Sequence, residues 1–366
     1  MTLWTKETIT GDLRDLPAGV QEIRTPEGEL CRLPLPESGG RGRSEEIRLC
    51  NWATMRLEWY EAEGFHSRHG AEPGFLELSF CLSGRMGWQL RDGSGLYLGP
   101  GGLAIRLRES CSDSRLQFPL GYYAGLAFSV DTRTLDAQLP VPLAQMGVTG
   151  AGLLERYCPG GRSLALAAQA GVAPLLEPLA RLPREARPAW GLLRIQELLL
   201  LLGALEQPEL SSPEGWPRDQ LAAIQAVHAR LVEDLSRRYT IEELSREHLL
   251  NTSALKAGFK AVYGQPVGAY MRELRMREAA RLLRESDLPI AGVAAAVGYE
   301  NQGKFTRAFK EAVGLLPTEY RRQNGPSGGS SSLASPVCNV EMQNAPSKSR
   351  AVRHTKTLHS SLFPIH

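Results

Sequence analysis

The chain has 366 residues, 42% of them hydrophobic, with 42 Lys/Arg against 40 Asp/Glu and a formal net charge of +2; that is room for two domains with real cores. The longest apolar run, Leu198 to Leu202, is far short of the ~20 residues that span a bilayer, and the N-terminus lacks a basic-then-apolar signal segment. Cys31, Cys50, Cys81, Cys111, Cys158 and Cys338 show no paired spacing, so neither a zinc nor a disulfide framework is indicated, and the cytoplasm is the expected location.

In chain order, residues 1–46 read as an irregular segment rich in Pro and Gly, ending in a loop-like run from Glu37 to Ser44. From about Ile47 to Val130 the period is two. Met55, Leu57 and Trp59 alternate with polar partners, as do Leu76, Leu78, Phe80 and Leu82, which is the pattern of strands covered on one face. Further short strands are predicted over 87–90, 103–107 and 122–130. Gly84, Asp92-Gly93, Gly99-Pro100 and Gly101-Gly102 supply the turns between them. Many short strands with such punctuation predict a small antiparallel barrel or sandwich. Trp59, Phe80, Trp88 and Tyr123 are candidates to line a pocket in it, with plain core as the alternative for each.

From Thr149 to Gln207 the pattern turns helical. Pro188 stands at a favoured first-turn position, and Leu192, Leu193, Ile195, Leu198, Leu199, Leu202 and Leu205 form a wide apolar face. That face packs on the barrel, dimerises, or does both. Residues 47–207 are therefore expected to be one domain and 208–224 a linker. Residues 225–323 follow as a helical domain and 324–366 as a disordered tail of Ser, Gly and Pro, whose Lys348, Arg350, Arg353 and Lys356 are within reach of phosphates or simply solvated.

The stretch from Thr240 to Arg322 nearly repeats itself. Asn251, Leu255, Phe259, Lys260 and Gly264 recur fifty positions later as Asn301, Phe305, Phe309, Lys310 and Gly314, and Ile241, Leu244 and Ser245 answer to Ile290, Val293 and Ala294 with a one-residue slip. Each copy reads as helix, tight turn, helix. Ile290, Val293, Ala294 and Val297 make one helical face; Gly298 suits a left-handed helix end, and Asn301 suits the cap of the next helix. Thr240 and Glu243 have the form of a capping box, and Asn251 stands as the cap in the first copy. Leu249 occupies the place of the turn glycine there, so the two turns are expected to differ. A spacer helix between the copies carries Val267, Tyr270, Met271, Leu274 and Leu282 along one side.

Two helix-turn-helix units on one spacer can present recognition helices to successive major grooves, ~34 Å apart on the duplex. The residues left over after burial suit that use: Asn251, Ser253, Lys256 and Lys260 in the first unit, and Asn301, Gln302, Gly303, Thr306, Arg307 and Lys310 in the second. Such side chains read base edges or phosphates; a solvated polar face on a bundle helix is the plain alternative. Charge is distributed accordingly. Residues 225–322 hold sixteen Lys/Arg against twelve Asp/Glu, while residues 1–224 hold twenty-two against twenty-seven, which favours nucleic-acid contact by the C-terminal half.

Residues 240–322 resemble the DNA-binding domain of the AraC/XylS family of bacterial transcription regulators. The resemblance is carried by Leu244 to Phe259, by the spacer with Tyr270, Arg275, Ala279, Leu282 and Leu283, and by the run from Ile290 through Gly298, Tyr299, Phe305, Arg307 and Phe309 to Tyr320 and Arg321. Asn251 with Gly258 before Phe259 is similar to the pyochelin-regulator-like branch. Ala257 departs from the family, which frequently has arginine there. The resemblance implies an α+β multidomain chain, with an N-terminal cupin-like antiparallel β-barrel, trailing helices and a C-terminal all-α double helix-turn-helix domain. It implies double-stranded DNA and a small-molecule effector, a ferric siderophore among the candidates, as partners, with RNA polymerase and a second copy of the chain beside them, no membrane, and no cofactor.

The rival from another class is a metal-dependent cupin-type enzyme with a helical appendage. Metal cupins use a tight His-x-His with a downstream Glu and a third His after a Pro-x-Gly turn. His66 and His69 lie three apart, and Pro100 and Gly102 supply such a turn, but Ile105 stands where the ligand histidine belongs. No three-ligand metal site and no catalytic residue is assigned; His66 and His69 are expected in loops. A non-catalytic binding pocket is the better use of the barrel.

Overall fold

The computed structural model describes residues 13–35, 39–68, 70–89, 93–166, 168, 171–205 and 216–325. The N-terminal half is β-rich: β1 (Val20–Arg24), β2 (Leu30–Pro34), β3 (Arg41–Arg48), β4 (Ala53–Glu61), β5 (Gly64–Arg68), β6 (Phe75–Gly84), β7 (Met86–Gln89), β8 (Gly95–Leu98), β9 (Leu103–Leu107), β10 (Asp113–Gln117), β11 (Tyr122–Asp131) and, later, β12 (Leu164–Leu166). They form an eight-stranded sheet, in the order β12-β9-β6-β11-β4-β3-β1-β2, and a four-stranded sheet, β5-β10-β7-β8. All pairings are antiparallel except β1 with β3. A core shared by Tyr60 and Tyr123 of the large sheet and Phe65, Met86 and Trp88 of the small one packs the two face to face.

Residues 1–46 are not irregular throughout. Val20–Arg24 and Leu30–Pro34 pair as a hairpin, and β1 docks along Arg41–Glu45. The strands escape a search for apolar alternation because β2 is largely exposed and β3 has Ile47 as its one large apolar side chain. His66 likewise lies in β5, not in a loop; His69 is outside the described residues.

The alternation in β4, β6 and β9 covers a face other than the barrel interior. Met55, Leu57, Leu76, Leu78, Phe80, Leu103 and Ile105 join a core with the helices α1 (Thr132–Ala137), α2 (Val141–Gln145), α3 (Gly150–Tyr157), α4 (Val172–Leu176) and α5 (Arg187–Ala204). The helices thus form a layer against the outer face of the large sheet. Helix α5 is seated there by Ile195, Leu198, Leu199 and Leu202, all buried. Gly191 permits the close approach, since a Cβ at that position would lie 2.7 Å from Leu49 and 3.3 Å from Met55. The apolar face of α5 therefore packs largely within its own domain; Leu193, expected on that face, is instead 59% exposed, because it lies on the far side of the helix from Ile195 and Leu199.

The C-terminal half is helical: α6 (Arg218–Glu233), α7 (Ile241–Glu247), α8 (Thr252–Tyr263), α9 (Val267–Glu285), α10 (Ile290–Ala296), α11 (Gln302–Val313) and α12 (Pro317–Asn324). Helix α6 begins inside the stretch expected as linker 208–224, of which residues 208–215 are outside the described residues; so is the tail beyond 325. Helix α12 is unforeseen. Pro317, which ends one helical pattern, occupies the first turn of the next, and Tyr320 meets Phe309 edge-on at 5.6 Å between ring centroids.

Two separate cores organise these helices. Leu221, Ile224, Leu244, Leu255 and Phe259 make the first with Val267 and Met271. Val293, Val297, Phe305 and Phe309 make the second with Met276, Ala279 and Leu283. Helix α9 belongs to both, its first half to one and its second half to the other. Among the described residues no helix is long and apolar enough to cross a membrane.

Candidate nucleic-acid interface and inter-sheet cavity

Each helix-turn-helix unit is held by local hydrogen bonds that the sequence encodes. Thr240 and Glu243 close a capping box at α7. Asn251 Oδ1 accepts the Ala254 amide at 2.7 Å and Asn301 Oδ1 accepts the Lys304 amide at 3.0 Å. Both asparagines thus have a structural duty at the start of a recognition helix. The turns match as well. Leu250 N donates to Ser245 O, and Tyr299 N donates to Ala294 O, each at 2.9 Å. Leu249 takes φ +53° and Gly298 φ +78°, so the expectation of different turns is corrected. The first unit has Leu250 alone between turn and cap, while the second has Tyr299 and Glu300, which is the one-residue slip.

Ser253, Lys256 and Lys260 on α8 are exposed, as are Gln302, Gly303, Arg307 and Lys310 on α11; Thr306 is half-buried. Lys304, which sequence reasoning missed, is exposed beside Gly303. Its signal was available, since it lies three residues, about one turn, before Arg307. Arg307 pairs with Glu311 at 3.1 Å with 84% of its side chain exposed, and an exposed i,i+4 pair is worth too little to hold the guanidinium back. Both recognition helices therefore present unshielded polar faces with cationic side chains.

The second feature is a cavity of about 340 Å³ between the two sheets. Strand parity selects its wall. Arg56, Glu58 and Tyr60 of β4, Glu77 and Ser79 of β6, and Arg106 of β9 point in, opposite to the apolar set that faces the helices. Of the four aromatic candidates only Trp88 lines the cavity. Phe80 faces the helical layer, Trp59 is half-buried against it, and Tyr123 is enclosed in the inter-sheet core, stacked on Phe118 at 5.7 Å. A one-residue step along β4 replaces Trp59 by Tyr60, whose hydroxyl accepts from Gln21 Nε2 at 2.9 Å; burial holds that phenol neutral by raising its pKa.

Most wall charges are paired. Arg56 meets Glu58 at 2.7 Å, which keeps the guanidinium charged against the burial that opposes it. Arg108 lies 3.8 Å from Glu77, and Ser129 Oγ donates to the same carboxylate at 2.8 Å. His66 reaches Asp113 at 2.5 Å. Among the described residues no group of three or more His, Cys, Asp or Glu is placed to hold a metal ion. Ile105 faces the helices; its neighbour Arg106 brings a cation into the cavity instead.

The small sheet joins the cavity to the helical half. Met86 and Trp88 face the cavity, while Gly87 lies against the Tyr97 ring. Tyr97 donates to Gln117 Oε1 at 2.7 Å, and Gln225 of α6 shares that acceptor at 3.3 Å. Just before β7, Arg85 donates from Nε to Val262 O at 2.9 Å, and from Nη2 to Ala261 O, at the C-terminal end of α8. Gly95 of β8 exchanges backbone hydrogen bonds with Trp216 at 3.0 and 2.8 Å.

Residues 244–323 match the family model described as "Helix-turn-helix domain". The regulator AlkR of Acinetobacter baylyi is 31% identical over 123 residues, 34% of this chain and 36% of that protein. The transcriptional activator RhaR of Mannheimia succiniciproducens is 25% identical over 125 residues, 34% of this chain and 44% of that protein. The C-terminal domain of the response regulator AraT from Geobacillus stearothermophilus is 28% identical, with 30% of this chain and 91% of that one covered at a TM-score of 0.28. The chain spans about a third of the length of the first curated relatives it matches, which are named as AraC-like transcription regulators. Residues 244–323 are a helix-turn-helix domain, similar in sequence to parts of these regulators.

Proposed function

We propose that the chain is a sequence-specific DNA-binding transcription regulator whose inter-sheet cavity takes a small-molecule effector. One observation carries the reading: two capped helix-turn-helix cores share the single helix α9 and leave the polar faces of α8 and α11 open. Two such helices on one spacer suit the reading of two major-groove segments about one turn apart. Ser253, Lys256 and Lys260 act on one segment, and Gln302, Thr306, Arg307 and Lys310 on the other. Asn251, Asn301 and Gly303 set the helix starts that bring them there.

The effector acts through the small sheet, whose β7 lines the cavity while Arg85 and Gln117 of β10 contact α8 and α6. A ligand shifts the DNA equilibrium only by its differential affinity for the two states, typically 1–3 kcal/mol. The similarity of Asn251 and Gly258 to the pyochelin-regulator-like branch makes ferric siderophores the first candidates. RNA polymerase and a second copy of the chain are the further partners that regulation of this kind implies.

Genome-wide footprinting of the bound protein tests the DNA reading. Protected sites should show two segments on one face of the duplex, about one helical turn apart; random, sequence-independent protection sinks it. Calorimetry of ferric siderophores with and without the recovered DNA tests the effector. A siderophore bound equally tightly in both cases is not the effector, and a ligand consumed during titration speaks for the enzyme.

A further inference from the structure

Arg106 stands apart from the other charges of the cavity. It is buried, with 6% of its surface exposed, and its guanidinium carbon lies 4.0 Å from the Trp88 ring centroid. Its polar contact among the described residues is one neutral hydroxyl: Nη2 donates to Ser79 Oγ at 3.0 Å. Its Nε is buried with no acceptor among the described residues. Directly cross-strand stands Glu77, the natural partner, yet that carboxylate is engaged by Ser129 and Arg108. Glu58 is engaged by Arg56, and Glu46 lies cross-strand from Arg56 as well. A buried cation without a carboxylate is costly unless something completes it.

The surroundings indicate what does so. A guanidinium is a planar fork that matches a carboxylate with two parallel hydrogen bonds. Beside it lie Trp88, Tyr60, Phe65, Met86 and Leu116, an apolar wall. We infer that the cavity binds an organic carboxylate, its headgroup held by Arg106 and its apolar body laid along Trp88. Arg106 thereby becomes the specificity-determining residue of the effector site, an assignment that rests on the effector reading given above. Trp88 fixes the guanidinium from one face, so its in-plane donors are preset toward the ligand rather than ordered on binding.

The experiment is calorimetry on the full chain without DNA, so that its failure leaves the DNA-binding reading standing and bears on the ligand class alone. The probes are indole-3-acetate, 4-phenylbutyrate and decanoate, each compared with its own primary amide. At least one carboxylate should bind at least tenfold more tightly than its amide, and Arg106→Gln should abolish that preference. Arg106→Lys, which keeps the charge and loses the fork, should retain only part of it. The carboxylate-to-amide ratio on the unaltered chain decides the matter even where a variant does not fold. Absence of binding by all three carboxylates, equal binding of acid and amide, or a preference that survives Arg106→Gln overturns the inference.

Discussion

Leu249 and Gly298 occupy equivalent turns and share a left-handed backbone, at φ +53° and +78°. For leucine this conformation carries a steric penalty of about 1–2 kcal/mol that glycine escapes. Leu249 is 94% exposed, so its side chain recovers nothing by burial. Leu249→Gly should therefore raise stability by about 1 kcal/mol, read as a higher melting temperature. If Leu249→Ala, which keeps the Cβ, stabilises equally, the turn is not the cause.

Arg85 holds the last carbonyls of α8 from the other half of the chain. A cation at a helix C-terminus satisfies free acceptors and favours the dipole. Arg85→Ala should lose about 1–3 kcal/mol at this contact, and amide exchange around residues 261–264 should accelerate while that of β6 stays unchanged. Unaltered exchange at the end of α8 would show that the contact does not hold the two halves together.

On DNA, Arg307→Ala should cost about 1–3 kcal/mol at the specific site if the guanidinium makes a bidentate base contact. The measurement is a pair of affinities, on specific and on random DNA, at one salt concentration. Equal losses on both assign Arg307 to a phosphate.

Helix α9 sets the relation of the two readers because Met271 lies in one core and Met276 in the other. Two residues inserted after Glu278 would rotate one unit against the other by about 200° at 3.6 residues per turn. Footprints should then shrink to one segment. An unchanged two-segment footprint contradicts a rigid spacer.

His228 stacks on Tyr263 at 4.3 Å between centroids, and its Nε2 lies 2.7 Å from Tyr270 Oη. Burial lowers its pKa from 6.5. Below pH 6.5 the unfolded chain therefore binds a proton that the folded chain resists. Stability is full above that value and falls as the pH drops toward the lower folded pKa, by at most about 1.4 kcal/mol per pH unit. His228→Gln should flatten this part of the profile in denaturant titrations between about pH 7.5 and 5.5. An unchanged slope assigns the acid sensitivity to other groups.

The sequence by itself determined the local structure of the helical half. Asparagine caps, the capping box and residues three and four apart act within one or two turns, so their pattern is visible without the fold, and the two exposed polar faces followed as what burial left over. Alternation in β4 and β6 likewise announced strands with one covered face. It did not say what covers them, because period two is the same whether the apolar side meets helices or lines a barrel. Only tertiary packing decided that Phe80 faces the helical layer and that Tyr60, not Trp59, faces the cavity. The same parity hid the candidate effector site. Arg56, Glu58, Glu77 and Arg106 look in sequence like a solvated face, and only the second sheet closing over them makes their charges matter. Leu249 is the converse case, a residue whose own backbone preference points away from the turn it occupies. The helices packed on either side of it impose that conformation, and no reading of its neighbours in the chain can supply it.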